Sequence, residues 1–124
     1  MKAILEEGTS IYLQISQSIE DDILNGIIVE EDPIPSTNQF AKFYGINPAT
    51  AAKGVGMLAD EGIVYKKRGI GMYVATGAKE IIRAKRKRAF YENFIDVLVR
   101  AKALGVTKAE LIKLVEEGEH NANA

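Results

Sequence analysis

The chain has 124 residues, 47% of them hydrophobic and 27% charged, enough for a modest core and ordinary for a folded domain. It contains no cysteine, which excludes disulfides, cysteine-ligated zinc and thiol chemistry, and no apolar run approaches the roughly 20 residues of a membrane span. The net charge of −1 conceals an asymmetry: residues 1–62 carry three basic and ten acidic side chains, whereas residues 63–124 carry thirteen basic and seven acidic.

Most of the positive charge falls in 63–91, where Lys66, Lys67, Arg68, Lys79, Arg83, Lys85, Arg86, Lys87 and Arg88 face a single acid, Glu80. Such a cluster is often just a solvated helix face. A nucleic-acid binder, however, needs local positive potential and not a high overall isoelectric point. No signal peptide opens the chain, so the cytoplasm is the expected compartment.

Residues 1–9 read as a loose or partly extended lead-in. Ser10 can cap a first helix, whose Tyr12, Ile15, Ile19 and Ile23 recur at spacings of three and four along one face. Asn25-Gly26 ends it. Glu20, Asp21 and Asp22 lie towards its C-terminal end, against the helix dipole, and are expected to be solvated. Ile27-Ile28-Val29 is β-branched and short, as in a small strand that pairs with a later hairpin.

Pro33 and Pro35 force an extended entry into a second helix. Ser36 and Gln39 form a capping box, each side chain satisfying a backbone N–H of the other residue. This helix, about 37–44, turns Phe40, Ala41 and Tyr44 to the core and leaves Phe43 at the edge. Gly45 stops it, taking a left-handed conformation at little cost. Asn47 then caps a third helix, about 48–61, with Pro48 in the first turn where proline is tolerated.

Two helices joined by so tight a turn cross steeply, as in a helix-turn-helix. The third helix buries Ala51, Val55 and Leu58 and leaves Ala49, Thr50 and Lys53 near the opposite side. Gly54 and Gly56 each cost it about 1 kcal/mol relative to alanine. Either a neighbouring helix approaches closely there, or the helix is locally soft. Past Gly62, residues 63–67 and 72–75 form a hairpin, a basic wing with Arg68-Gly69-Ile70-Gly71 at its tip.

After Gly77 one long helix, about 78–103, carries Phe90, Phe94, Val97, Leu98, Ala101 and Leu104 at a near-heptad interval. Gly105 ends it. Thr107 and Glu110 form a second capping box before a last helix, about 108–117, with Leu111, Leu114 and Val115. The tail from Gly118 is expected to be disordered. Two helices share only one seam, so these stripes call for a partner surface, most simply a second copy, the alternative being the wing domain of the same chain. The fold expected is α+β and mainly helical, a winged helix-turn-helix in 1–76 followed by a two-helix dimerisation hairpin in 77–124.

The run from Ile34-Pro35-Ser36 to Val74 resembles the N-terminal domain of GntR-family bacterial transcription regulators. Phe40-Ala41, Gly45-Ile46-Asn47-Pro48, Thr50, Leu58-Ala59-Asp60-Glu61-Gly62-Ile63-Val64 and Lys67-Arg68-Gly69-Ile70-Gly71-Met72-Tyr73-Val74 carry the likeness. The following hairpin, with Ala103-Leu104-Gly105 and Glu110-Leu111, is similar to the YtrA subfamily, in which a small helical appendage replaces a large effector domain. The resemblance implies control of genes for a membrane transporter. The chain departs from the pattern at Asn38, where the family often has an arginine that touches DNA. It departs again at Ala52 and at Gly54-Val55, leaving Lys53 as the third helix's one cation.

These features point to a homodimeric repressor of a pseudo-palindromic operator in double-stranded DNA. Asn47, Pro48, Ala49, Thr50 and Lys53 are the candidates for the major groove. Ser36, Thr37 and Asn38 would meet a backbone phosphate at a helix N-terminus. Lys66 and Lys67 would touch phosphates, and Arg68, Gly69 and Gly71 the flanking minor groove. Dimerisation falls to Phe90, Phe94, Val97, Leu98, Ala101, Leu104, Leu111, Leu114 and Val115.

No cofactor or metal is expected. A small-molecule effector would bind in the dimer seam or between wing domain and hairpin, with Phe90 and Phe94 the candidate contacts for an amphiphile. The competing expectation is an interaction adaptor that has lost DNA binding, motivated by Asn38, Ala52 and the acidic first half. An enzyme is excluded: the one histidine, His120, lies in the tail, and Asp60-Glu61 belong to a helix end and not to acid–base chemistry.

Overall fold

The computed structural model describes Leu5, Ser10–Lys67 and Gly69–Asn123, with side chains as far as Glu119. The expected lead-in (apart from Leu5) and Arg68 at the wing tip therefore lie outside the described residues. The elements run α1 (Ile11–Leu24), α2 (Thr37–Tyr44), α3 (Pro48–Asp60), β1 (Val64–Lys67), β2 (Gly71–Val74), α4 (Ala78–Ala103) and α5 (Lys108–Asn123). Among the described residues, five helices and one small sheet make the α+β, mainly helical fold that the sequence predicts. The chain divides into two compact units, Met1–Lys85 and Arg86–Ala124, and α4 contributes residues to both.

In the first unit the isoleucine stripe of α1 is fully internal, Ile15 and Ile19 being 0% exposed. It packs against Phe40 and Ala41 of α2, Ala51, Val55 and Leu58 of α3, and Val64 and Val74 of the hairpin. Ala78 and Ile82, from the first turns of α4, complete this core. Phe43, placed at the edge by periodicity, is exposed.

α1 crosses α3 at Gly54, where a Cβ would stand 2.7 Å from the Tyr12 carbonyl oxygen and 3.2 Å from Ile15. The Ser16 hydroxyl donates to the Gly54 carbonyl at that crossing. Close approach is thus the reason for Gly54. It is not the reason for Gly56, around which a Cβ would meet nothing within 4 Å.

The wing is an antiparallel pair with Tyr65 opposite Tyr73 and Lys67 opposite Gly71. Ile27-Ile28-Val29 is not the strand expected from its composition. The amides of Ile27 and Ile28 both donate to the Asp22 carbonyl, which folds this run back over the end of α1. Residues 31–34 lie along β2 instead: Glu31 N–H donates to Val74 O, Val74 N–H to Asp32 O and Ile34 N–H to Met72 O, around a Pro33–Tyr73 bridge.

The acids of α1 also depart from expectation. Asp21 is exposed, but Asp22 is buried and Glu20 is 1% exposed. Glu20 forms an ion pair with Lys85 of α4, and Lys85 also reaches Glu61 at 2.7 Å. A cation 65 residues away, not the dipole of α1, decides where Glu20 can sit.

In the second unit, Val106 N–H donates to the Ala101 carbonyl and closes the turn after α4, where Ala101 is buried. Thr107 and Glu110 make the expected capping box, with Glu110 N–H donating to Thr107 Oγ1 at 3.2 Å. α5 does not stop near 117. Gly118 keeps a negative φ, so it leaves no left-handed cap, and the helix continues to Asn123.

Candidate nucleic-acid interface

Each end of the helix-turn-helix is set by a local hydrogen bond. Ser36 Oγ accepts from Gln39 N–H, and Gln39 Oε1 accepts from Ser36 N–H at 2.7 Å, closing the capping box. Thr37 and Asn38 follow in the first turn of α2, Thr37 half-buried and Asn38 exposed. Gly45 takes φ 65°, which L-residues with a side chain adopt only at a cost. Ile46 N–H then donates to Ala41 O, and Asn47 Oδ1 accepts from Ala49 N–H at 2.8 Å, starting α3.

On α3, Pro48, Ala49, Ala52 and Lys53 are exposed and Thr50 is half-buried. The Lys53 ammonium sits 4.0 Å from the centroid of the Tyr12 ring, a cation–π contact that holds it beside α1. Tyr12 therefore belongs to this surface and not simply to the isoleucine stripe it heads. The signal was present: Tyr12 is the one position of that stripe with a polar tip.

In the wing, Lys66 and Lys67 are exposed, and the Lys67 ammonium lies 4.7 Å from the Tyr73 ring centroid. Ile70 N–H donates to Lys67 O across the turn, and Gly69 and Gly71 adopt φ 73° and 120°. Ile70, between them, is 67% exposed. Sequence reasoning named the glycines and passed over this side chain. An apolar residue at a wing tip is the type that wedges into a minor groove, and its flanking glycines were the available clue.

At the base of the wing the Glu31 carboxylate accepts from Tyr65 Oη at 2.5 Å and from the Thr76 N–H and hydroxyl at 3.1 and 2.8 Å. The Tyr65 and Thr76 hydrogen bonds hold the Glu31 carboxyl below its usual range, and the same bond raises the Tyr65 phenol. α3 packs on α1, α2 and β1. One packed unit thus carries both the exposed N-terminal turns of α3 and the wing.

The basic stretch is less free than its composition suggests. Arg83 pairs with Glu80 at 3.0 Å, Lys85 is held by Glu20 and Glu61, and Lys79 is half-buried beside Ile23, Ile28 and Glu30. In the second unit Lys87 lies 6.0 Å from the Tyr91 ring centroid.

The apolar stripes of that unit find little cover within it. Phe90, Phe94, Val97, Leu98, Leu104, Leu114 and Val115 are exposed, while Leu111 is half-buried. An open groove of about 740 Å³ runs between α4 and α5, walled by Phe94, Leu98, Val106, Leu111, Ile112 and Val115. Tyr91, Ile95 and Val99, spaced by four, add a second exposed apolar stripe that the heptad reading did not include. No helix among the described residues is long and apolar enough to cross a membrane.

Residues 11–74 match the family model of bacterial regulatory proteins, gntR family. The chain is 30% identical over 110 residues to the HTH-type transcriptional repressor YtrA of Bacillus subtilis, a match spanning 89% of this chain and 85% of that protein. The crystal structure of a GntR-family transcriptional regulator from Bacteroides thetaiotaomicron superposes with a TM-score of 0.80 at 35% identity, covering 90% of this chain and 99% of that one. The AraR DBD, solved in complex with operator ORX1, covers 60% of this chain and 92% of its own at 29% identity and a TM-score of 0.51. With over half its length in the family model and a YtrA-like relative across most of the rest, the chain belongs to the GntR family of DNA-binding transcription regulators.

Proposed function

We propose that the chain is a homodimeric repressor of a pseudo-palindromic operator, of the YtrA kind. One observation carries the reading of DNA: a capped helix-turn-helix whose exposed α3 face and basic wing belong to one packed unit, in a chain similar to an operator-bound domain. Asn47, Pro48, Ala49, Thr50 and Lys53 enter the major groove. Alanine and the threonine methyl suit thymine methyls, and the Thr50 hydroxyl a phosphate. Ser36, Thr37 and Asn38 meet the backbone at the start of α2. Lys66 and Lys67 neutralise phosphates, and Arg68, Gly69 and Gly71 bring the wing to the flanking minor groove.

The DNA-reading part is residues 1–76, with the first turns of α4 packed into its core, and the dimerisation part is the remaining hairpin. The open groove of the hairpin supports a second copy as the surface that covers Phe94, Leu98, Leu111 and Val115. Dimer symmetry then sets half-sites about one helical turn, roughly 34–36 Å, or a multiple apart. Such a protein acts in the cytoplasm, resemblance to the YtrA subfamily suggests a transporter operon as its target, and a small effector would bind in the dimer seam.

Selection of bound duplexes from a random pool, at two salt concentrations, tests this. The expected result is an inverted repeat whose affinity falls steeply as salt rises. Weak binding without an enriched motif and without salt dependence would leave the adaptor reading in its place.

A further inference from the structure

Among the described residues Glu31 is the one non-glycine at positive φ, at 68°. A side chain in that region costs about 1–3 kcal/mol and persists where its surroundings over-determine it. Here they do. The turn is closed by Asp32 N–H donating to Val29 O, and Glu31 N–H donates to Val74 O at 2.8 Å. The carboxylate reaches Tyr65 on β1 through one oxygen and Thr76, just beyond β2, through the other. One residue therefore grips both sides of the wing hairpin. Five residues later the same segment becomes the Ser36 cap of α2.

We propose that Glu31 is a positioning residue for DNA reading, whose left-handed turn and three-bond carboxylate fix the wing relative to the helix-turn-helix. This rests on the DNA-reading assignment above. Glu31 is not itself a DNA contact, since a carboxylate facing phosphates would repel them. Its influence passes through Tyr65 and Thr76 to the strands that carry Lys66, Lys67 and the tip. Glutamine can preserve the arrangement: its amide oxygen accepts from Thr76, and its NH2 donates to Tyr65 Oη, which reverses its role. Alanine keeps the strain and loses the grip. Glycine loses both.

The test repeats the duplex selection with wild type, Glu31→Gln, Glu31→Ala and Glu31→Gly, with melting followed to confirm folding. Preference at the outermost base pairs, those under the wing, should fall about fivefold in the alanine and glycine variants, the low end of the value of one base pair. Preference at inner positions under α3 should be unchanged, and so should the salt slope, because no phosphate-binding cation is removed. Glu31→Gln should retain the wild-type profile, which a lost charge could not explain. Glu31→Gly relieves the turn and keeps the test valid if Glu31→Ala fails to fold. Variants that match wild type at every base pair, or a uniform loss across all positions, would overturn the positioning role alone. A wild-type chain that enriches no motif overturns it together with the DNA-reading assignment.

Discussion

Two glycines that look alike in sequence behave differently in space. Gly54 lies against the backbone of α1, with only 2.7 Å between a would-be Cβ and Tyr12 O, so Gly54→Ala must push two helices apart. A loss of about 1–3 kcal/mol is expected, as for other overpacked sites. Gly56 faces open space in an ordinary helical conformation, and Gly56→Ala should gain about 0.5–1 kcal/mol. Urea melts of both variants check the pair. Equal signs would mean that softness, not crossing, is why both positions are glycine.

Lys85 is the other residue whose meaning is spatial. Burial tends to lower its pKa, but the Glu20 and Glu61 carboxylates together outweigh that and raise it. Lys85→Met removes the cation from a carboxylate only 2% exposed and should cost about 1.5–2 kcal/mol, kept low because Lys85 itself is 39% exposed. A group whose folded pKa is raised contributes fully below its unfolded value, about 10.4 for lysine, and loses that contribution as pH rises through the folded value. The gap between wild type and Lys85→Met should thus hold through neutral pH and close in strong alkali. A gap that closes near pH 7 would show that another group carries it.

At the scale of elements, legibility in the sequence followed the range of the forces involved. The limits of α2 and the start of α3 were readable from Ser36, Gln39, Gly45, Asn47 and Pro48, because a cap is settled within four residues. The third strand-like segment was misread, because β-branching at 27–29 says nothing about amides already engaged by Asp22 O. The reach of α5 past Gly118 was missed because a glycine lowers helix propensity without dictating a left-handed stop. The hairpin stripes were readable as unpartnered, and the structure adds the groove between them. Leu98→Asp places a charge on the groove wall, where Leu98 is 38% exposed. It should weaken self-association by about 2 kcal/mol or more, the scale of an interface hot spot, and leave melting of the first unit intact. Sedimentation equilibrium decides it: an unchanged mass would remove the dimer from this face.

For the whole molecule, the charge asymmetry was visible in the sequence, but its use was not. Glu20 and Glu61 draw Lys85 inward, and Glu80 takes Arg83, so part of the positive half neutralises its own fold. Among the described residues, Lys53, Lys66 and Lys67 remain as cations on the α3 and wing surfaces. Each phosphate they neutralise adds about 0.9 to the slope of log affinity against log salt. The salt arm of the selection should therefore give a dimer slope well below one computed from all the basic residues of 63–91. The fold class came from patterns repeated along the chain. The site's departures came from pairs far apart in sequence, which no local pattern encodes.

Lys53 gives that surface an uncommon starting point. Before DNA arrives, the one cation of α3 already has a companion in the Tyr12 ring. On the proposed reading, meeting a phosphate would be an exchange and not a capture. The ammonium would leave a π face worth about 0.5–1 kcal/mol at an exposed site, and the Tyr12 ring would be freed in the same step.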